Sequence, residues 1–180
     1  MSENVLRGKA WVASGYVMAY DIIKQEFWTS RLDPAENARW VMAGVAPEFD
    51  GDGAFAAHEY RFIVGGHNFA GGGKSIEHVI TGIMGAGVQA VLADSFARLQ
   101  FRNAINYGLP FITCKGIREQ VQTGDELEVH LDTGVVRNLT QGTEATAAPV
   151  PAFVTEVADA GGMIAFIRGH IANGTVDSLR

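Results

Sequence analysis

Apolar residues fall along this 180-residue chain in two rhythms. Short unbroken runs at 10–13 (AWVA), Phe62 to Val64, Ala90 to Ala93 and Phe111 to Cys114 have the length of strands buried on both faces. Between the second and third runs, Ile76, Val79, Ile80, Ile83 and Met84 recur at helical spacing, and Gly85 and Gly87 end that helix. Strand, glycine-dense loop, helix, strand is a βαβ unit, which requires parallel pairing and a right-handed crossover.

The remaining segments follow from the same patterns. Residues 1–8 read as a frayed end, and residues 16–23 as a turn with a second apolar run around Asp21. Asp33-Pro34 signals a helix, with aspartate as N-cap, proline in the first turn and Glu36 at the third position. Its apolar stripe is Ala38, Val41 and Met42, and Gly44 stops it. Residues 47–53 (PEFDGDG) form an exposed acidic turn, read as solvated loop rather than as a cation site of Glu48, Asp50 and Asp52. Ser95 to Asn106 is an amphipathic helix presenting Phe96, Leu99, Phe101 and Ile105. Gly124 to Leu139 alternates across an Asp-Thr-Gly turn, a β-hairpin. Residues 140–151 are a Thr/Ala/Pro connector. The tail from Pro151 to Ile171 is two short helices, or one broken at Gly161-Gly162. With no repeat and no long linker, residues 1–180 read as one domain.

Chemistry gathers in the loop from Gly65 to Ser75. Three consecutive glycines before a helix leave backbone N–H groups free to approach a ligand, and a helix start favours an anion. Ser75 is placed as N-cap. Lys74 puts a cation beside that start, which implies a bound anion, a buried carboxylate or a solvated side chain; the plain alternative is a tight turn with a surface lysine. Gly73-Lys74-Ser75 also mimics a phosphate-binding P-loop, but that spacing requires glycine at 68, where Asn68 stands. The net charge of −6 argues against nucleic acid as partner. One cysteine, Cys114, excludes an internal disulfide and a cysteine-held cluster or zinc within this chain. No run of 18 apolar residues and no signal peptide appear, so the default address is the cytoplasm.

The central stretch resembles the small subunit of 3-isopropylmalate dehydratase and the swivelling domain of aconitase. That family reads N-F-G-x-G-S-S-R-E-H, then A-x-x-A-x-S-F-A-R and N-x-x-N-x-G-L-P. Asn68-Phe69, Glu77-His78, Ser95-Phe96-Ala97-Arg98 and Asn103 through Pro110 match it. Asp33-Pro34, Val41 to Gly44, Pro47-Glu48-Phe49, Gly124 to Leu127 and Gly161-Gly162 resemble the short archaeal-type small subunits. The resemblance implies an α/β fold of swivelling β/β/α three-layer type. It also implies a separate large subunit holding a 4Fe–4S cluster, with none in this chain, and a hydro-lyase reaction on a small hydroxy-acid. There the iron acts as Lewis acid on the hydroxyl, while the small subunit supplies the base for the Cα proton and cations for carboxylates.

The departures from the family pattern fall on its working residues. Counted back from Glu77-His78, the family's catalytic serine is Lys74, its second serine is Ser75, and its carboxylate-gripping arginine is Ile76. The loop carries one extra residue. Near the N-terminus the family's N-T-D-x-I-I falls on Met18 to Ile23, where Asp21 is the acid present, and the substrate-selecting loop reads Glu26 to Arg31. Lys74 and Ser75 are therefore the catalytic candidates. Gly72, Gly73, Ile76, Asp21, Trp28, Thr29, Arg31 and Asn68 are the substrate-binding ones. Lys74 is either a neutral base or a charged carboxylate binder, and Trp28 with Ile76 suits a more apolar substrate. A non-catalytic or degenerate partner subunit is the alternative function, and a phosphate or nucleotide module a more distant one. Residues 26–31 are expected to form a mobile loop at the mouth of the site.

Overall fold

The computed structural model describes residues 4–28 and 32–176. Seven strands form one curled sheet in the order β4-β3-β2-β1-β5-β6-β7. Its first half is parallel: β1 (Val5–Val12), β2 (Phe62–Gly65), β3 (Ala90–Ala93) and β4 (Phe111–Thr113), registered through Ala10↔Phe62, Phe62↔Ala90 and Val91↔Phe111. Its second half is antiparallel: β5 (Glu126–His130), β6 (Val135–Asn138) and β7 (Thr143–Thr146).

The unbroken apolar runs are explained by burial on both faces. Trp11, Ile63, Val91 and Ala93 point into a core shared with the helices. Their neighbours Ala10, Phe62, Val64, Ala90 and Leu92 point the other way, onto Leu127, Val129 and Val136 of the antiparallel half. The result is three layers: helices, parallel sheet, antiparallel sheet. The helical layer contains α1 (Ala19–Ile22), α2 (Pro34–Ala38), α3 (Glu77–Gly85) and α4 (Arg98–Tyr107); α5 (Ala152–Asp159) and α6 (Met163–Ala172) pack beyond α4.

Several expectations are corrected. The first strand begins at Val5, because Val5 to Lys9 pair with β5 and are not frayed. Asp33 caps α2 as expected, its Oδ1 accepting from Ala35 N–H at 2.9 Å. The helix nevertheless ends at Ala38 and does not run to Gly44. Beyond it the chain bonds to α1 instead: Met42 N–H donates to the Ile22 carbonyl at 2.6 Å and Gly44 N–H to that of Asp21 at 2.9 Å. In the acidic turn, Phe49 is buried edge-on to Trp11 and Phe55. Asp50 and Asp52 there pair with Lys24 and Arg39. The 140–151 connector contains β7, which pairs with β6. The tail is two helices joined at Gly161-Gly162.

Candidate active site

The parallel strands end on one side of the sheet, and the segments leaving them build a crevice there. Sheets of this kind bind ligands at the carboxyl ends of their strands. Ser14 to Met18 leaves β1, Gly66 to Ser75 leaves β2, Asp94-Ser95 leaves β3, and Lys115 to Arg118 follows β4.

The first two segments are sewn together along their length. Asn68 Nδ2 donates to Tyr16 Oη at 2.7 Å. Gly71 N–H donates to the Val17 carbonyl at 3.2 Å, and Ala19 N–H to the Gly71 carbonyl at 2.8 Å. A methyl group on Gly71 would stand 1.9 Å from Tyr16 Oη, so a side chain there would displace the Tyr16 hydroxyl from this position. The loop between Asn68 and Gly73 turns through left-handed backbone at Asn68, Ala70, Gly72 and Gly73 (φ 52, 58, 105 and 77°). After Gly71 the loop stops bonding to its surroundings. The N–H groups of Gly72, Gly73, Lys74 and Ser75 have no acceptor among the described residues. Four bare donors beside an exposed lysine form a lip with the chemistry to receive an anion.

Helix α4 holds the far end of this lip. Its buried amides form a chain: Gln100 Nε2 donates to the Lys74 carbonyl at 3.3 Å, and Ser75 Oγ donates to Asn103 Oδ1 at 3.1 Å. The expected N-cap role of Ser75 is thereby corrected. Ile76 occupies the cap position without a side-chain bond, because the Ser75 hydroxyl is taken by Asn103. Ile76 itself is packed into the core at 4% exposure, so its side chain does not face the crevice.

An aromatic wall stands beside the lip. The Lys74 ammonium lies 5.9 Å from the centre of the Tyr20 ring. Tyr20 stacks on Trp28 at 5.9 Å, and Trp28 on His78 at 5.9 Å. Trp28 is also pinned by its Nε1–H, which donates to the Ile23 carbonyl at 3.1 Å. Trp28 thus stands in an aromatic wall with Tyr20 and His78; of the loop expected at 26–31, residues 29–31 lie outside the described residues. Asp21 follows Tyr20 in α1, half-buried, its carbonyl engaged by Gly44. Thr29 and Arg31 lie outside the described residues. Thus Asn68, Gly72, Gly73, Lys74, Ser75 and Trp28 are brought together, and Ile76 is turned away.

Tyr16, Tyr20, His67, Ser95 and Arg118 were not among the candidate site residues, although His67 lies in the glycine loop and Ser95 in a matched family motif; they reach the crevice from separate strand ends. Ser95 Oγ accepts Asn68 N–H at 2.8 Å and meets His67 Nδ1 at 3.0 Å. Only the topology brings them together. A cavity of about 570 Å³ at the other end of β1 is a poor rival. Its buried Glu128 is consumed by Arg7, Arg137 and His130, and these partners hold its carboxyl down at about 2.

This chain does not suit an iron–sulfur cluster. Cys114 is buried, and that burial, with Asp94 nearby, pushes its thiol pKa up, away from the thiolate a cluster needs. No group of three or more histidines, cysteines or acids among the described residues could hold a metal.

A helix-covered parallel sheet continuing into an antiparallel layer, with a glycine loop at the strand ends, defines a swivelling β/β/α domain. The aconitase C-terminal domain model matches residues 17–115. The isopropylmalate/citramalate isomerase small subunit of Methanocaldococcus jannaschii is 41% identical over 94% of this chain and 98% of its own. A 3-isopropylmalate dehydratase small subunit of Methanopyrus kandleri is 40% identical over 92% and 94%. A solved structure of 3-isopropylmalate dehydratase from M. jannaschii superposes with a TM-score of 0.83, at 29% identity over 95% of this chain and 98% of that one. The chain belongs to the aconitase C-terminal domain family, among the 3-isopropylmalate dehydratase small subunits.

Proposed function

We propose that this chain is the small subunit of a two-chain hydro-lyase that removes and adds water on a small hydroxy-acid. Its residues 1–180 act as one swivelling domain against a large subunit that holds a 4Fe–4S cluster, as the names and family of its relatives suggest. One observation carries the reading: bare N–H groups from Gly72 to Ser75, the Lys74 ammonium and the Asn103-held Ser75 converge on one crevice. Lys74 and the Gly72 and Gly73 N–H groups bind a substrate carboxylate. Ser75 acts as the base after its hydroxyl proton, donated to Asn103 Oδ1 at rest, is lost to solvent water; the alkoxide, stabilised by the ammonium and the neighbouring N–H groups, then takes the Cα proton on its oxygen. The electron pair of the broken C–H bond becomes the new double bond as the hydroxyl leaves on the partner's side. The wall of Tyr20 and Trp28 faces the substrate's carbon substituent, with Thr29, Arg31, Asn68 and Asp21 as further contacts.

No described helix is long and apolar enough to cross a membrane, and we place the pair in the cytoplasm, with neither nucleic acid nor membrane as partner. The test is reconstitution of this chain with its large subunit under anaerobic, iron-replete conditions. Appearance of the unsaturated acid from a panel of hydroxy-acids is followed by ultraviolet absorbance. Turnover is expected from the pair and not from this chain alone. Turnover by the isolated chain would overturn the split site, and an inert pair would make this a non-catalytic partner subunit.

A further inference from the structure

The outer face of the antiparallel half carries an ordered row of charge. Leu127, Val129 and Val136 turn inward to the core, which leaves their neighbours Glu128 and Arg137 facing out. In register, Arg7 of β1 stands opposite Glu128 of β5, Glu128 opposite Arg137 of β6, and Arg137 opposite Glu144 of β7. Opposite charges thus alternate across four strands.

Glu128 is nonetheless buried, covered by the cations between which it divides its oxygens. Its Oε2 accepts from Arg7 Nε at 2.7 Å and pairs with Arg7 Nη2 as well. Its Oε1 accepts from Arg137 Nη1 at 3.0 Å and from His130 Nε2 at 2.7 Å. Glu144 accepts from Arg137 Nε at 3.1 Å. Arg7 Nη1 and Arg137 Nη2 are left without an acceptor among the described residues.

Both arginines line the cavity of about 570 Å³ beside the start of β1, with Asn4, Val5 and Gln89 in its walls. That volume lies within the usual range of about 300–1,000 Å³ for small-molecule sites. Glu128 is the one acid among its described lining residues, and its oxygens are taken. The cavity therefore has no free carboxylate for chemistry, and what it presents is cationic donors. Each guanidinium is already held by two bonds to carboxylates, so little side-chain freedom remains to be lost when a ligand arrives.

We infer that this cavity binds a small organic acid, whose carboxylate takes one oxygen to Arg7 Nη1 and the other to Arg137 Nη2 while its polar body lies toward Asn4 and Gln89. The ligand's carboxylate then mirrors Glu128 across the same two guanidiniums, with charge-assisted bonds on both sides. The site lies at the start of β1, and the Lys74 lip beyond the other end of that strand. An acid bound in the cavity touches none of the groups of the lip, so ligands at the two places do not compete.

The test is nitrogen-15 NMR of the full chain titrated with N-acetylalanine, which has one carboxylate and an amide body, and with N-acetylalaninamide, which lacks the charge. The acid should move the Arg7 and Arg137 side-chain signals together with the Gln89 amide, and the neutral amide should not. Arg137→Gln should weaken the acid at these signals by about tenfold, with Arg137→Lys recovering part of the loss. Glu144→Gln should leave the affinity equal or raise it, because it removes a carboxylate that competes for Arg137. Signals of Gly72 to Ser75 report the lip separately, and Arg137→Gln should leave their response to the acid unchanged. Unmoved cavity signals would overturn the inference. So would an affinity no greater than that of acetate, which marks an ordinary counterion, or a tighter grip on inorganic phosphate, which marks a different ligand. A loss with Glu144→Gln equal to that with Arg137→Gln would make the row of charge structural only, and overturns the inference as well.

Discussion

Lys74 stands where the family keeps a serine, and the proposal that it is a clamp and not a base has a test of its own. Its ammonium is exposed and lies 5.9 Å from the Tyr20 ring centre. A ring face attracts a cation by about 0.5–1 kcal/mol at such a site and offers a neutral amine nothing comparable. A charged hydrogen bond to a substrate carboxylate adds about 1.5–3 kcal/mol. Removing the charge while keeping the aliphatic stem, Lys74→Met, should therefore raise KM by about ten- to a hundredfold and change kcat much less. Lys74→Arg should hold KM within about fivefold, because charge and donors persist, though the fork meets the lip at a different angle. The assay is steady-state turnover of the reconstituted pair from pH 6 to 9. A lysine acting as base would have to be neutral, so the rate would climb with pH and Lys74→Arg would lose about a hundred- to ten-thousandfold in kcat. That pattern, a kcat collapse with KM intact and loss of the rising limb, would refute the clamp.

Trp28→Ala removes two ring contacts and the bond to the Ile23 carbonyl, together worth about 2 kcal/mol. The melting temperature should fall by about 4–8 °C, and the kcat/KM ratio between a branched and an unbranched hydroxy-acid should change; a constant ratio would remove Trp28 from the substrate wall. Glu128 has its carboxyl lowered from 4.5 to about 2, first by His130, then by Arg7 and Arg137. A folded value below the unfolded one contributes stability above about pH 4.5 that is lost as pH falls through about 2. Urea midpoints of Glu128→Gln should thus be lower at pH 7 and flatter between pH 5 and 2 than those of the natural chain, and parallel curves would refute the assignment. Ala70 stands where the family pattern has glycine, at a φ of 58° that strains any side chain. Ala70→Gly should gain up to about 1 kcal/mol, read as a rise in melting temperature of about 2–4 °C; a fall would show the methyl group's packing to dominate.

The parallel half of this fold was legible because its strands are buried on both faces, so the runs at 10–13, 62–64, 90–93 and 111–112 carry no polar residue. Strand β7 and the start of β1 carry charged and polar side chains, and β7 lies at the sheet edge, so neither shows an apolar run. The early end of α2 was illegible for a tertiary reason: N–H groups that a longer helix would use are captured by carbonyls of α1. In α4 the pattern misled more instructively. Leu99, one of the apolar residues the pattern assigns to this helix, is 39% exposed, while Gln100 and Asn103 are buried. An amphipathic reading assigns the inside of a helix to its apolar residues, on the assumption that the facing surface is apolar. Here the facing surface is a glycine loop, rich in backbone carbonyls and hydroxyls that must be satisfied wherever they are covered. Amides on the inside of α4 are the complement of that loop. The same need withdrew Ser75 from the helix cap and turned its hydroxyl toward Asn103. The motif thus located the lip, while the groups that orient it came from segments whose places in space the sequence does not state. A buried polar pair three residues apart on a helix that follows a glycine loop is accordingly a mark of the site itself, and in this chain Gln100 and Asn103 are that mark.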